Sequence, residues 1–406
     1  VNTATAWCGD QLAQRFHDLH DVLRRHEVLW RPQAFQQVVL PWETQFPELS
    51  TRLRALDYDR AEALAEDDAA LVELLRADFP ELPALHAALE LPPMALEPLP
   101  ELAEAVAVPG RKWSQIKAFA ACVPAHTEPL LEWCAGKAHL GRLLATLQRR
   151  AALVLEWDAE LVASGADLAR RAGLPIEFHC VDVLDDATAT LVRRGHDIVA
   201  LHACGELHLQ LLRNCATRQP RALLLAPCCY QLIATESYEP LSRLAQAHDL
   251  QLTIADLHTA VRDSVTSPQR VREQRKTLQA WRLGFDSWQR TARGVNTYVP
   301  TPSLPLSMSS KGFENFCREV AAHNGIAFDP AMDREYYEAA GWRRLREVTA
   351  LDLPRIAFRR ALELWLVLDR ALYLQEHGYD VEIGRFCERA LTPRNILIRA
   401  QRRADQ

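Results

Sequence analysis

Leu131-Glu-Trp-Cys-Ala-Gly-Lys-Ala-His-Leu140 is the stretch whose reading decides the fold. It reads as a short apolar strand, a tight glycine turn and the start of a helix. Such a junction presents backbone N–H groups and a helix N-terminus to a ligand. Twenty-four residues after Glu132, a second apolar run, Leu153-Val154-Leu155, ends in Glu156. A carboxylate at the tip of a second strand can accept from both hydroxyls of a ribose. The two features together predict a pocket for an adenosine-bearing cofactor.

A dinucleotide pyrophosphate needs Gly-x-Gly-x-x-Gly. Here only Gly136 and Gly141 remain, with Ala138 between them and Cys134 in place of a first glycine, so a pyrophosphate would be poorly cradled. A cofactor without phosphate tolerates the looser turn. Outward from this point, strand-like runs at 130–133, 152–156, 176–181, 197–202, 222–227 and 251–257 alternate with helical stretches. That alternation predicts an α/β fold with a parallel, doubly wound sheet that binds ligands at the carboxyl ends of its strands.

Two more runs break at cysteine-bearing turns: Asp197-Ile-Val-Ala-Leu-His-Ala-Cys-Gly205 and Ala222-Leu-Leu-Leu-Ala-Pro-Cys-Cys-Tyr230. With Gly136-Lys-Ala-His-Leu140 and the late Leu391-Thr-Pro-Arg-Asn-Ile-Leu-Ile398, they resemble a subgroup of class I S-adenosylmethionine (SAM)-dependent methyltransferases. That subgroup includes the methyltransferase-like 25 proteins and, more distantly, the tRNA 2′-O-methyltransferases with a CHHC zinc finger. The resemblance covers roughly residues 108–402. It implies a Rossmann-like sheet, SAM as cofactor, and RNA, with tRNA first, as substrate. It also implies that Glu132, Cys134, Gly136, Lys137, His139 and Leu140 form the cofactor turn. Glu156 and Trp157 would then stand at the ribose, Asp182 and Val183 at the adenine, and His202 near the methyl group. In relatives a basic pair and a polar helix precede the first strand; here Lys112, Trp113 and Lys117 occupy that helix, expected from Trp113 to Val123. Class I enzymes end in an antiparallel strand pair. The expected organisation is therefore an acidic helical domain over 1–107, a SAM-binding core over 108–261, a basic helical insertion over 262–393, and a final strand and tail over 394–406. Helices are expected at 312–323, 333–346 and 354–377, and five prolines over 91–109 read as a linker or extended wrap.

The 406 residues supply ample chain for a packed core. The absence of a run of about 18 apolar residues predicts no transmembrane helix. The first residues lack the basic and apolar parts of a secretory signal, so a cytoplasmic protein with ten free thiols is expected. The net charge of −6 is uneven: residues 1–110 carry 19 acids and 8 bases, whereas the remainder carries 34 acids and 39 bases. Over 262–312 nine bases face three acids, Asp263 among them, interleaved with Trp281, Phe285, Trp288 and Tyr298. Those aromatics either stack RNA bases or pack inward beneath a solvated basic face.

The candidates for chemistry are His202, Cys204, Cys228, Cys229 and Tyr230, at the ends of the fourth and fifth core strands. Methyl transfer from a sulfonium needs chiefly an acceptor held in line. His202 or Tyr230 would orient and deprotonate that acceptor. Alternatively, Cys228 or Cys229 would attack C6 of a pyrimidine, as in RNA cytosine-5 methyltransferases, although the Asp-Ala-Pro-Cys motif expected beside it is replaced by His-Ala-Cys-Gly. A zinc site is disfavoured, because Cys-x₂₋₄-Cys spacing is absent and adjacent cysteines seldom ligate one ion together, so no metal is expected. The cysteines also fit as small buried residues at strand ends. Beside RNA methylation stand two other readings: a protein or small-molecule methyltransferase, and a non-catalytic SAM-binding sensor or scaffold.

Overall fold

The computed structural model describes residues 6–100, 108–262 and 268–404. Part of the 91–109 linker, its boundary at 107, and Asp263 lie outside the described residues. The chain forms two compact units: residues 1–24, 89–261 and 360–406 make the first, and 25–88 and 262–359 the second. This division crosses the boundaries read from the sequence. The start of the chain and the end of the expected insertion belong with the cofactor core, for a topological reason given below.

The first unit is built on one eight-stranded sheet. Its strands are β1 (Trp7–Cys8), β2 (Leu130–Trp133), β3 (Ala152–Glu156), β4 (Ile176–Cys180), β5 (Asp197–Cys204), β6 (Ala222–Cys228), β7 (Tyr379–Arg385) and β8 (Ile396–Arg402). They lie in the order β1-β7-β8-β6-β5-β2-β3-β4. The five strands β2 to β6 pair in parallel, while β8, β7 and β1 add on as antiparallel strands. The α/β class and the Rossmann-like methyltransferase sheet expected from the sequence are present. The chain leaves β2 toward β3 on one side and later returns as β5 on the other. That reversal opens a crevice beyond the carboxyl ends of β2 and β5. The helix Gly110–Ala120 contributes Ile116 and Phe119 to the core against Leu130, Leu144, Val199 and Leu224. Burial of each large apolar side chain contributes about 1.5–3 kcal/mol.

Two expectations for the sheet are corrected. Residues 251–257 do not form a strand; a helix runs from Ile254 to Ala260. Thr253 Oγ1 accepts from the Asp256 N–H while the Asp256 carboxylate accepts from the Thr253 N–H at 2.9 Å, a reciprocal cap that starts a helix there. The sixth core strand is instead β7, inside the stretch expected to be a helical insertion, where Val381 and Ile383 point inward and Asp380 outward. Its pairing with β8 draws residues 360–393 into the first unit. β1 adds to its free edge, which brings the start of the chain there too. The helix expected over 354–377 is divided at Phe358 into Leu353–Ala357 and Arg359–Glu376. Among the described residues no helix is long and apolar enough to cross a membrane.

The second unit is helical. Its longest helix, Gln269–Arg293, buries Leu278, Trp281, Phe285 and Trp288 against Phe313, Phe316 and Val320.

Candidate functional site

A cavity of about 500 Å³ lies where the reversal of strand order places it, within the range of small-molecule sites. The turn after β2 supplies its floor through Glu132, Cys134, Gly136, His139 and Leu140, and the bulged end of β5 supplies His202. The helix Gly110–Ala120 closes one side with Arg111, Lys112 and Gln115. A larger cavity of about 730 Å³ opens at the amino ends of the strands, around Asp197 and Arg221. Parallel sheets bind ligands at the opposite end, so the smaller cavity is the candidate site.

The turn keeps a glycine-type backbone without all its glycines. Cys134, Gly136 and Ala138 have φ of 54°, 59° and 51°, all left-handed. Glu156 pins this turn. One carboxylate oxygen accepts from the Gly136 N–H at 2.7 Å, and the other from Trp157 and Asp158 N–H at 3.0 and 3.1 Å. An ionised carboxylate has roughly four lone-pair sites, so one remains for an incoming hydroxyl. Glu132 is buried beneath the turn, and one of its oxygens accepts from the Gly141 N–H at 2.8 Å. A Cβ on residue 141 would collide with that oxygen, which explains the second glycine of the motif.

Burial pushes the Glu132 carboxyl up to about 8, against the lowering pull of the Gly141 N–H, Arg142 and Lys112. The unfolded chain would ionise it near 4.5. Its contribution to stability is thus fully present below pH 4.5 and is lost as pH rises through about 8. We expect Glu132→Gln to gain on the wild type steadily from pH 5 to pH 8 in urea unfolding; a gap that stays constant with pH would mean the carboxyl is ionised throughout.

His202 stands on a bulge, where the β5–β6 register shifts between Leu201 and Ala203, and its φ is 62°. Bulges re-aim side chains beside active sites. Its Nε2 lies 3.1 Å from Gln115 Oε1; with Nε2–H donating to that oxygen, Nδ1 is left as an acceptor. Burial lowers the His202 pKa to about 4. His139 is lowered to about 4 by burial and by Arg142, Lys112 and Lys137. Both rings are neutral at pH 7.

Cys204, Cys228 and Cys229 converge: their sulfurs all lie within 4.8 Å of one another. Hydrogen bonds from Cys204 and Cys228 lower the Cys229 pKa. The remaining expected site residues lie off the cavity wall. Tyr230 is fully buried, edge-on to His208 and under Arg370, and its hydroxyl has no hydrogen-bond partner among the described residues. The residue after the left-handed Cys229 turns back into the core, so Tyr230 does not face the cavity. Trp157 is 76% exposed, Lys137 is half-buried, and Val183 is buried. Asp182 is exposed and accepts from the Leu184 N–H at 2.9 Å, which closes its own turn.

Sequence reasoning missed Arg111, Gln115 and Arg394. Arg111 Nε and Gln115 Nε2 donate to the Leu391 carbonyl at 2.8 and 3.2 Å, clamping the approach to β8 beside the cavity. Arg394, in that same approach, acts electrostatically on both His202 and Cys229. The basic pair Arg111-Lys112 was the signal available for the helix; Arg394 stood within the run Leu391–Ile398, which gave it no role. In the second unit the aromatics of the basic stretch pack inward: Trp281, Phe285 and Trp288 are core residues, and Tyr298 meets Phe35 edge-on. Several of its cations are already engaged, Arg262 with Asp352, Arg290 with Asp286, and Lys276 over the Tyr58 ring. Of the two readings for these aromatics, inward packing is the one observed, because a helix this amphipathic buries its aromatic stripe.

Residues 111–236 match a family model described as "Methyltransferase domain". Among solved structures, the chain is similar to an rRNA methylase from Streptococcus thermophilus at 10% identity, with a TM-score of 0.23 over 30% of this chain and 73% of that one. It is similar to the METTL16 methyltransferase domain at 18% identity, with a TM-score of 0.24 over 43% and 69% of the two chains. It is also similar to coclaurine N-methyltransferase bound to N-methylheliamine and SAH, at 13% identity and a TM-score of 0.27 over 78% and 94%. The matched stretch holds the cofactor turn, the Glu156 tip and the cysteine cluster. It is a SAM-dependent methyltransferase domain, and SAM is its methyl donor. The cavity is large enough for that donor, and Glu156, bonded to Gly136 of its lining, keeps one lone pair open to an incoming hydroxyl.

Proposed function

We propose that this protein transfers the methyl group of SAM to RNA, with tRNA the first class to test. The observation that carries the reading is the sign of the cavity mouth. Arg111 and Lys112 line it, Lys137 and Arg142 act on His139, and Arg394 acts on His202. Glu132, the acid that lines the cavity, is held protonated by burial, and Glu156, behind the turn, spends three of its roughly four lone pairs on backbone N–H groups. A cationic rim around a methyl donor favours a polyanionic acceptor.

SAM supplies the activated methyl group. The chain supplies position. Gln115 fixes the His202 ring so that Nδ1 points as an acceptor toward an incoming O–H or N–H. With a pKa near 4, His202 orients that group and takes its proton only as the methyl transfers.

The test is transfer of labelled methyl from SAM into small RNA from a strain lacking this protein. Nuclease-released label that weakens steeply with salt, and is lost in Arg111→Glu/Lys112→Glu, is the expected result. Label appearing only in protein or metabolite fractions would overturn the RNA reading, and cofactor binding with no transfer to any fraction would make the protein a SAM sensor.

A further inference from the structure

We propose that Cys204, Cys228 and Cys229 bind one zinc ion, with its fourth coordination position open. Tetrahedral zinc with bonds of about 2.3 Å sets its sulfur ligands about 3.8 Å apart. The Cys204 and Cys228 sulfurs are 3.4 Å apart, and all three lie within 4.8 Å of one another. They need only small rotations to surround one ion. Thiolates around an iron–sulfur cube sit on separate iron atoms and must stand further apart, so a single ion fits this spacing better.

The backbone builds the cluster in two steps. The register of β5 on β6 sets Cys204 directly opposite Cys228. Consecutive residues of an extended strand point to opposite faces, which would send Cys229 away. Its left-handed φ of 47° breaks that alternation and brings the third sulfur to the same point. The objection to adjacent cysteines holds for a strand and fails at this turn.

Ligand chemistry and charge agree. Three thiolates are a soft donor set, suited to zinc rather than magnesium or calcium. Their charge of −3 is balanced by a divalent ion together with the neighbouring Arg394. The other candidate group among the described residues, His126, Glu128 and Asp197, contrasts with it, because Asp197 already pairs with Arg150 and Arg221. His202 does not belong to the group of donor atoms within 4.8 Å of one another. The fourth position is left to water or to the acceptor. The ion would lock the loop after β6 beside the methyl-transfer cavity. This inference does not depend on RNA being the substrate.

The experiment uses the full chain, purified under reducing, anaerobic conditions and reconstituted with zinc or cobalt. One zinc per chain, X-ray absorption showing three sulfur ligands and one light ligand, and a thiolate-to-cobalt charge-transfer band are the expected results. Metal content should fall to background in Cys204→Ser and Cys229→Ser and persist in Cys122→Ser, whose sulfur lies outside the cluster. The absorption spectrum on the unaltered protein decides the matter even where a variant fails to fold. A chain that retains no zinc, that binds it through fewer than three sulfurs, or that forms a Cys204–Cys228 disulfide and excludes metal would overturn the proposal.

Discussion

Gly205→Ala melts the first unit about 6–12 °C below the wild type, the shift that a loss of roughly 3 kcal/mol produces in a domain of this size. Gly205 has φ of 43° and ψ of −118°, a region closed to residues with a Cβ. The loop after β6 also lies directly on it: an added Cβ would stand 2.5 Å from the Leu232 carbonyl carbon and closer still to its oxygen. The backbone groups at this contact are already paired. The Leu232 carbonyl accepts from the Glu206 N–H at 2.7 Å and starts the helix Glu206–Arg218, while Gly205 N–H donates to the Cys228 carbonyl at 3.0 Å. A side chain at 205 forces the loop outward, strands both groups and pulls Cys229 from the other two thiols. Scanning calorimetry checks the shift. An alanine variant that melts within a degree or two of the wild type would mean that the loop gives way at no cost.

The same residue shows what the sequence made legible. The run His-Ala-Cys-Gly205 stands out, and so does Pro-Cys-Cys-Tyr230, but as two separate strings. Nothing in either string says that Cys204 lies opposite Cys228, because the register is set by β5–β6 pairing and a bulge at His202. Tyr230 escapes the same reading for a related reason: one left-handed residue before it reverses the face it presents. The glycine turn was more readable than its composition. Cys134 and Ala138 flank Gly136 in the turn and adopt left-handed backbone without being glycine, at a cost of about 1–2 kcal/mol each. Backbone geometry is retained where residue identity has changed, which a pattern of letters records only as a departure. β7 was hidden differently. Its seven residues follow an 18-residue helix and carry acids at alternate positions, so local pattern alone did not separate them from the helical stretch.

Glu156→Ala lowers S-adenosylhomocysteine affinity about ten- to a hundredfold, since loss of charged hydrogen bonds costs about 1.5–3 kcal/mol. The sequence predicted this carboxylate as a ribose ligand, and the structure adds a second reason for the loss. Both oxygens already hold the cofactor turn: one takes Gly136 N–H, the other Trp157 and Asp158 N–H. Removing the side chain frees a turn that contains two strained non-glycine residues, so part of the lost affinity is lost preorganisation. Glu156→Gln separates this from a simple size effect. An amide offers one oxygen and one N–H₂ group, so it must set a donor against either Gly136 N–H or the Trp157 and Asp158 pair. The glutamine variant therefore falls close to alanine rather than to wild type, although its volume is unchanged. Isothermal titration with S-adenosylhomocysteine, on variants whose circular dichroism matches the wild type, reads the effect. If the glutamine variant binds as tightly as the wild type, the charge and the second acceptor are dispensable, and the turn is held by its own backbone; if the alanine variant binds equally well too, the cofactor does not sit on this turn.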